Sequence, residues 1–213
     1  MSAYIRTAVL HGLRAVPVDV EAAVSPGLPT FTIVGLADTA VQEARERVRS
    51  ALKHAGFSLP LTRVTVNLAP ADLRKEGTAF DVPIALAVLL ASGQLQPHNE
   101  VPLVVGELGL DGSLRRLPGI LPIAGLARQL GADLFVPAEC AAEASLANPP
   151  RLFAAASLHA LVQHWQGVDV LQPFTAVAVP EAVLATTELA DIIGQDIAKR
   201  ALVIAATGGH NIR

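Results

Sequence analysis

The stretch "DVPIALAVLLASG", Asp81 to Gly93, is apolar on every side of a helical wheel. A helix without a polar face has to be buried. Pro83 fits its first turn and Gly93 its end. Its neighbours read as strands: "RVTVNLAP" before it and "LVVGELGL" after it. At the start of the chain, "VPVDVEAAV" sets Val16, Val18, Val20, Ala22 and Val24 on one face at period two, and "FTIVGL" follows a Pro-Gly-Leu-Pro break. Hydrophobic residues make up 52% of the 213 and charged residues 16%, which excludes a disordered chain and favours a covered core. Aromatics are only 4%, so the apolar content is Ala, Val and Leu, suited to helices packed closely on a sheet.

Residues 38–55 switch to helical period, with Val41, Ala44, Val48, Ala51, Leu52 and Ala55 on one stripe. Asp38 is the expected N-cap and Gly56 the stop. Asp111-Gly112 predicts a hairpin in "GLDGSLRRL". A helix near 119–131, strands "DLFVP" and "LFAAAS", and a helix at 157–165 complete the unit. Strands first and strand–helix alternation afterwards predict an α+β fold, a mixed sheet with helices mostly on one face. Residues 1–165 then form one domain. Residues 166–187, with two prolines and no helical period, read as a linker, and 188–213 as the start of another module. In that last part Ile197, Ala198, Ala201, Leu202 and Ala205 give a helix an apolar face, capped by Gly208-Gly209 and followed at "GGHN" by the first residues of a buried strand.

The net charge of −3 supplies no general basic field, so contact with nucleic acid needs a local patch. No signal peptide is visible at the N-terminus, and no apolar run reaches the roughly 18 residues of a membrane span. With one cysteine, Cys140, the expected location is cytoplasmic. The histidines are scattered without metal-ligand spacing, so no metal site is expected. No Gly-x4-Gly-Lys-Ser/Thr loop is present, and the fragment by itself is expected to be neither an ATPase nor any other enzyme, and to hold no cofactor.

The segments "NLAPADLRKEGTAFDVPIALAVLL" and "GELGLDGSLRRLPGILPIAGLARQLGADLFVP" together resemble the Lon-protease-like fold, shared with the C-terminal part of a small-subunit ribosomal protein. In the proteases a serine before the buried helix is the nucleophile and a lysine on a later helix is its base. The resemblance puts Thr78 at the nucleophile's position and Leu121 at the base's, so the dyad is missing. The chain has only three lysines, Lys53, Lys75 and Lys199, of which Lys75 is three residues from Thr78 but on a loop, where a depressed pKa is hard to arrange. The expected role of Thr78 is local capping.

The opening "YIRTAVLHGLRAVPVDVEAAVSPGLPTFTIVGLADTAVQEARERVRSAL", the segment "VNLAPADLRKEGTAFDVPIALAVL" and the tail "GQDIAKRALVIAATGGHN" are very similar to the ComM/YifB family of magnesium-chelatase-like proteins. The resemblance implies the non-catalytic N-terminal domain of a hexameric AAA+ ring that moves branched DNA in natural transformation, acting in ring assembly or in guiding DNA, with ATP and Mg in the full-length protein. Its phosphate loop would follow shortly after "GGHN". Its partners would be other copies of itself and branched or single-stranded DNA, with no membrane. Ile193, Gly194 and Gln195 resemble the segment lining an adenine pocket. Arg45, Arg49 and Lys53, spaced four apart on one helix face, are candidate phosphate contacts with Arg74, Lys75, Arg115 and Arg116. Solvation or subunit contact is the plainer expectation for these, since Glu43–Arg47 and Glu46–Arg49 read as ion pairs. Two alternatives are a Thr/Lys peptidase using Thr78 and Lys75, and a subunit of a magnesium-chelatase-type metal-insertion complex. Chelatase motor subunits generally lack such a front domain, which ranks that alternative last.

Overall fold

The computed structural model describes residues 4–97, 100–175 and 188–212. The chain divides into two compact units, residues 1–177 and 178–213. The first is built on a seven-stranded mixed sheet in the order β3-β4-β2-β1-β5-β8-β9. Strands β1 (Tyr4–His11) and β2 (Arg14–Ser25) form an antiparallel hairpin, and β2 pairs antiparallel with β4 (Arg63–Ala69). Strand β3 (Thr30–Val34) lies parallel to β4. On the other side β5 (Leu103–Val104), β8 (Leu134–Pro137) and β9 (Leu152–Ala155) add in parallel. The α+β class and the mixed sheet follow the sequence expectation.

Period-two alternation sorts the side chains onto two cores. Val18, Val20, Val64, Val66, Phe135 and Phe153 face one side, while Leu103, Val105, Leu134, Val136 and Leu152 face the other. The larger core lies under α1 (Thr39–His54), α2 (Asp81–Ala91) and α5 (Leu158–Trp165). The smaller is covered by α3 (Ile120–Leu130) and the short α4 (Ala141–Ser145), the one helix that sequence periodicity missed. Cys140 belongs to this smaller core, where its Sγ accepts a hydrogen bond from Leu117 N (3.3 Å).

Every residue from Asp81 to Leu90 is buried, so α2 sits between the sheet and α1 as its apolar circumference requires. Each fully buried Leu or Ile there contributes about 1.5–3 kcal/mol of transfer free energy. "LVVGELGL" is not one strand. It breaks at Gly106, and the second half becomes β6 (Glu107–Leu108), which pairs with β7 (Leu114–Arg115) in a separate hairpin. The break has a packing cause: a Cβ on Gly106 would lie 2.6 Å from Val82 Cγ2, so the chain turns where it meets α2. Gly106 N donates to Ala79 O and Val82 N to Gly106 O, at 3.1 Å each.

Within residues 166–175, read above as part of a linker, the first four cap the end of α5 and Pro173 and Phe174 lie against the β9 edge. Pro173 bridges to Phe153, and Phe174 N donates to Leu152 O at 2.6 Å. The remainder of that linker, 176–187, lies outside the described residues. In the second unit a 3₁₀ turn at Leu189–Asp191 precedes α6 (Asp196–Gly208), which ends with Gly209 in the left-handed region. Of its expected apolar face only Ala205 is buried; Ile197 and Leu202 are exposed. Residues 210–212 form no strand, contrary to the reading of "GGHN" as a strand start.

Candidate functional site

The loop between β4 and α2 is fastened to the start of α1 by both backbone and side chain. Lys75 N donates to Leu36 O (3.1 Å), and Asp38 N donates to Lys75 O (3.0 Å). Asp38 caps α1 as its sequence position predicts, accepting from Val41 N at 2.8 Å, and its second oxygen accepts from Gly77 N at 3.2 Å. One carboxylate therefore ends the loop and begins the helix.

Thr78 donates to the Glu107 carboxylate, and Lys75 donates to Pro70 O. The two members of the postulated peptidase pair thus engage different partners, and neither is arranged as nucleophile and base. Leu121, at the second position of α3, is 41% exposed and offers no base. Lys75 is wholly buried, which corrects its assignment to a phosphate-binding surface. Burial pushes its ammonium below the usual lysine range, with the Asp72 carboxylate opposing.

The centre of this junction is a pair that sequence reasoning missed. Asp81 is fully buried in the first turn of α2 and receives Arg47 Nε at 2.6 Å and Arg47 Nη2 at 2.9 Å. Leu108 N adds a third hydrogen bond at 3.1 Å. Burial pushes the Asp81 carboxyl up, while Arg47 and the Leu108 amide pull it down. The contact expected from helical spacing, Arg47 with Glu43, is long at 3.9 Å. The available signal was Asp81 itself: a carboxylate at the mouth of an all-apolar helix needs a partner.

Most of the exposed basic candidates already engage carboxylates. Arg45 pairs with Glu46 at 3.0 Å, and Arg49 shares the same carboxylate at 3.7 Å. Arg74 pairs with Glu76 (2.8 Å), and Arg116 approaches Glu143 at 3.8 Å. Arg115 lies exposed on β7 opposite Glu107. Arg49 and Lys53 border a groove of about 370 Å³ lined by Phe31, Phe57, Leu59 and Leu61. In the second unit, the Ile193 side chain is 98% exposed, and a Cβ on Gly194 would meet nothing within 4 Å. Gln195 is left-handed at the α6 N-cap. These three residues make a turn without walls and do not by themselves fit an adenine ring. Among the described residues no group of three or more His, Cys, Asp or Glu side chains could hold a metal ion. No described helix is long and apolar enough to cross a membrane.

Residues 20–140, over half of the chain, match the family model described as subunit ChlI of Mg-chelatase. The chain is 43% identical over 213 residues to an uncharacterized protein, YifB, of Salmonella typhimurium, covering 99% of this chain and 42% of the relative. It is 44% identical over 206 residues to competence protein ComM of Haemophilus influenzae (94% and 40%) and 38% identical over 208 residues to an uncharacterized protein of Mycobacterium bovis (95% and 41%). It spans about two fifths of the length of these relatives. The expectation that the chain is not an enzyme is overturned by these matches, because the model covering most of its body is that of an enzyme subunit and ComM is among its relatives.

Proposed function

The chain belongs to the family of magnesium-chelatase-like proteins that includes YifB and ComM, and from that membership we propose that it is the leading domain of a ComM-type AAA+ motor for branched DNA, with the opening of the motor's ATPase module. The observation that carries this reading is α6. Ile197, Leu202, Val203 and Ile204 stand exposed along it, as they would where a further module completes their core, in a chain that spans two fifths of its relatives. The description of the Haemophilus relative as a competence protein supports incoming DNA as the substrate. ATP and Mg²⁺ act in the full-length motor, in the cytoplasm.

Within that motor the sheet body is assigned to contacts between subunits of the ring in preference to contacts with phosphates. Its support is the engagement of Arg45, Arg49, Arg74 and Arg116 with carboxylates and the burial of Lys75. The test uses the intact protein with ATP and a synthetic four-way DNA junction. Junction-stimulated ATP turnover and migration of the branch are expected. Turnover indifferent to DNA but coupled to Mg²⁺ insertion into a porphyrin would replace this reading with metal insertion, which the description of the matched model favours.

A further inference from the structure

The two edges of the large sheet are treated differently. At β9 the edge is covered by Pro173 and Phe174. At β3, among the described residues, the edge is open, with β4 alone beside it. Thr30 N donates to Thr62 O at 3.4 Å, so Thr30 and Thr32 face β4 in the parallel ladder, and the alternate residues Phe31 and Ile33 turn their backbone groups outward. Gln42 Nε2 reaches Ile33 O at 3.3 Å. Among the described residues nothing pairs with the outward N–H groups of Phe31 and Ile33. Exposed edges are ordinarily blunted by Lys, Pro or a bulge, and "TFTIV" has none of these.

The groove of about 370 Å³ opens beside this edge, between the C-terminal half of α1 and residues 57–62. Its floor and rim are apolar: Phe31, Phe57 and Leu59, with Leu61 85% exposed; Leu28, 82% exposed, lies just before β3. One wall carries Arg49 and Lys53, a turn apart. Among the described residues no carboxylate lies within 4 Å of Lys53, and Arg49 has only the shared Glu46 at 3.7 Å.

We propose that the β3 edge and this groove dock an extended segment of a partner protein, one that carries an apolar anchor residue and, two positions along on the same strand face, a carboxylate. The segment's backbone pairs with Phe31 and Ile33, its anchor fills the groove against Phe57 and Leu59, and its carboxylate meets Lys53 and Arg49. Strand addition of this kind takes affinity from main-chain hydrogen bonds and selectivity from pockets for alternate side chains. Nucleic acid offers no backbone ladder to a strand edge. A second copy pairing β3 to β3 about a two-fold axis would set the two Arg49–Lys53 rows on the same sheet face, like charge towards like. Complementarity therefore favours an acidic partner. The site is independent of the motor reading.

The test is titration of the intact protein with a capped peptide, Ac-Thr-Val-Thr-Glu-Thr-Val-Thr-amide, whose Val and Glu side chains share one strand face, followed by calorimetry and by amide exchange over residues 28–35. Saturable binding with slowed exchange at Phe31 and Ile33 is expected. R49E/K53E and, separately, L61S at an exposed position should each weaken binding at least tenfold, and a peptide with Lys in place of Glu should not bind. No binding, binding without slowed exchange at these amides, or indifference to R49E/K53E would overturn the proposal. So would protection of the same amides by self-association in the free protein or by forked DNA.

Discussion

Lys75 shows how one residue can be read correctly as unusual and wrongly as to what it does. A lysine between Arg74 and Glu76 in a polar loop suggests a surface cation, yet its ammonium is turned inward onto Pro70 O and held below the ordinary range by burial. A group with a lowered folded pKa is protonated more readily in the unfolded chain. Between that lowered value and the ordinary 10.5 the unfolded state therefore binds more protons, and stability rises with pH across that window. Lys75→Met keeps the aliphatic stem and removes the titration. The melting temperature of the native protein minus that of the variant is expected to increase as the pH rises from neutrality towards the ordinary lysine value. A difference that is flat or falls over that range would show that Lys75 is solvated in the folded state.

Between elements, the decisive contact is the one that joins α1 to α2. Arg47 projects from the polar flank of α1's apolar stripe to a carboxylate fully buried in the first turn of α2. Removing one partner leaves the other's charge unmatched, so Arg47→Met is expected to cost about 3–5 kcal/mol in urea denaturation. Arg47→Met combined with Asp81→Leu should recover a large part of that loss. A loss in the double variant equal to the sum of the singles would mean that the two residues act independently. The elements themselves were largely legible. Period-two runs at Val16–Val24 and Val64–Leu68, the Asp38 cap, the Asp111-Gly112 turn and the apolar circumference of α2 are all local signals. Helical spacing, by contrast, gave Arg47 the neighbour four residues away, because a partner 34 residues along the chain leaves no periodic trace. The break at Gly106 was hidden for the same reason: it depends on Val82 pressing against the strand from another element. Helix α4 has five residues, too few for a stripe to declare itself. At the candidate site the Asp38 cap could be read from the sequence, whereas the Glu107 partner of Thr78 could not.

At the scale of the whole molecule the net charge is −3, and among the described residues seven of the sixteen Lys and Arg side chains (Arg6, Arg45, Arg47, Arg49, Arg74, Arg116 and Arg151) have a carboxylate within 4 Å. The row Arg45, Arg49 and Lys53 is the strongest remaining candidate for a phosphate contact. Replacing all three with Gln in the intact protein is expected to leave both the affinity for forked DNA and its salt dependence unchanged. A fall in the logarithmic salt slope of about 0.9 for each lost contact would return the row to DNA binding. The placement of the single cysteine has a practical result. Cys140 is buried in the smaller core, its thiol raised by that burial and engaged with Leu117, so little thiolate forms and reagents have no path to it. The folded chain is thus a silent background for maleimide labelling. A cysteine introduced beside β3 or on α1 would carry a fluorophore or spin label alone, with the native thiol left in place.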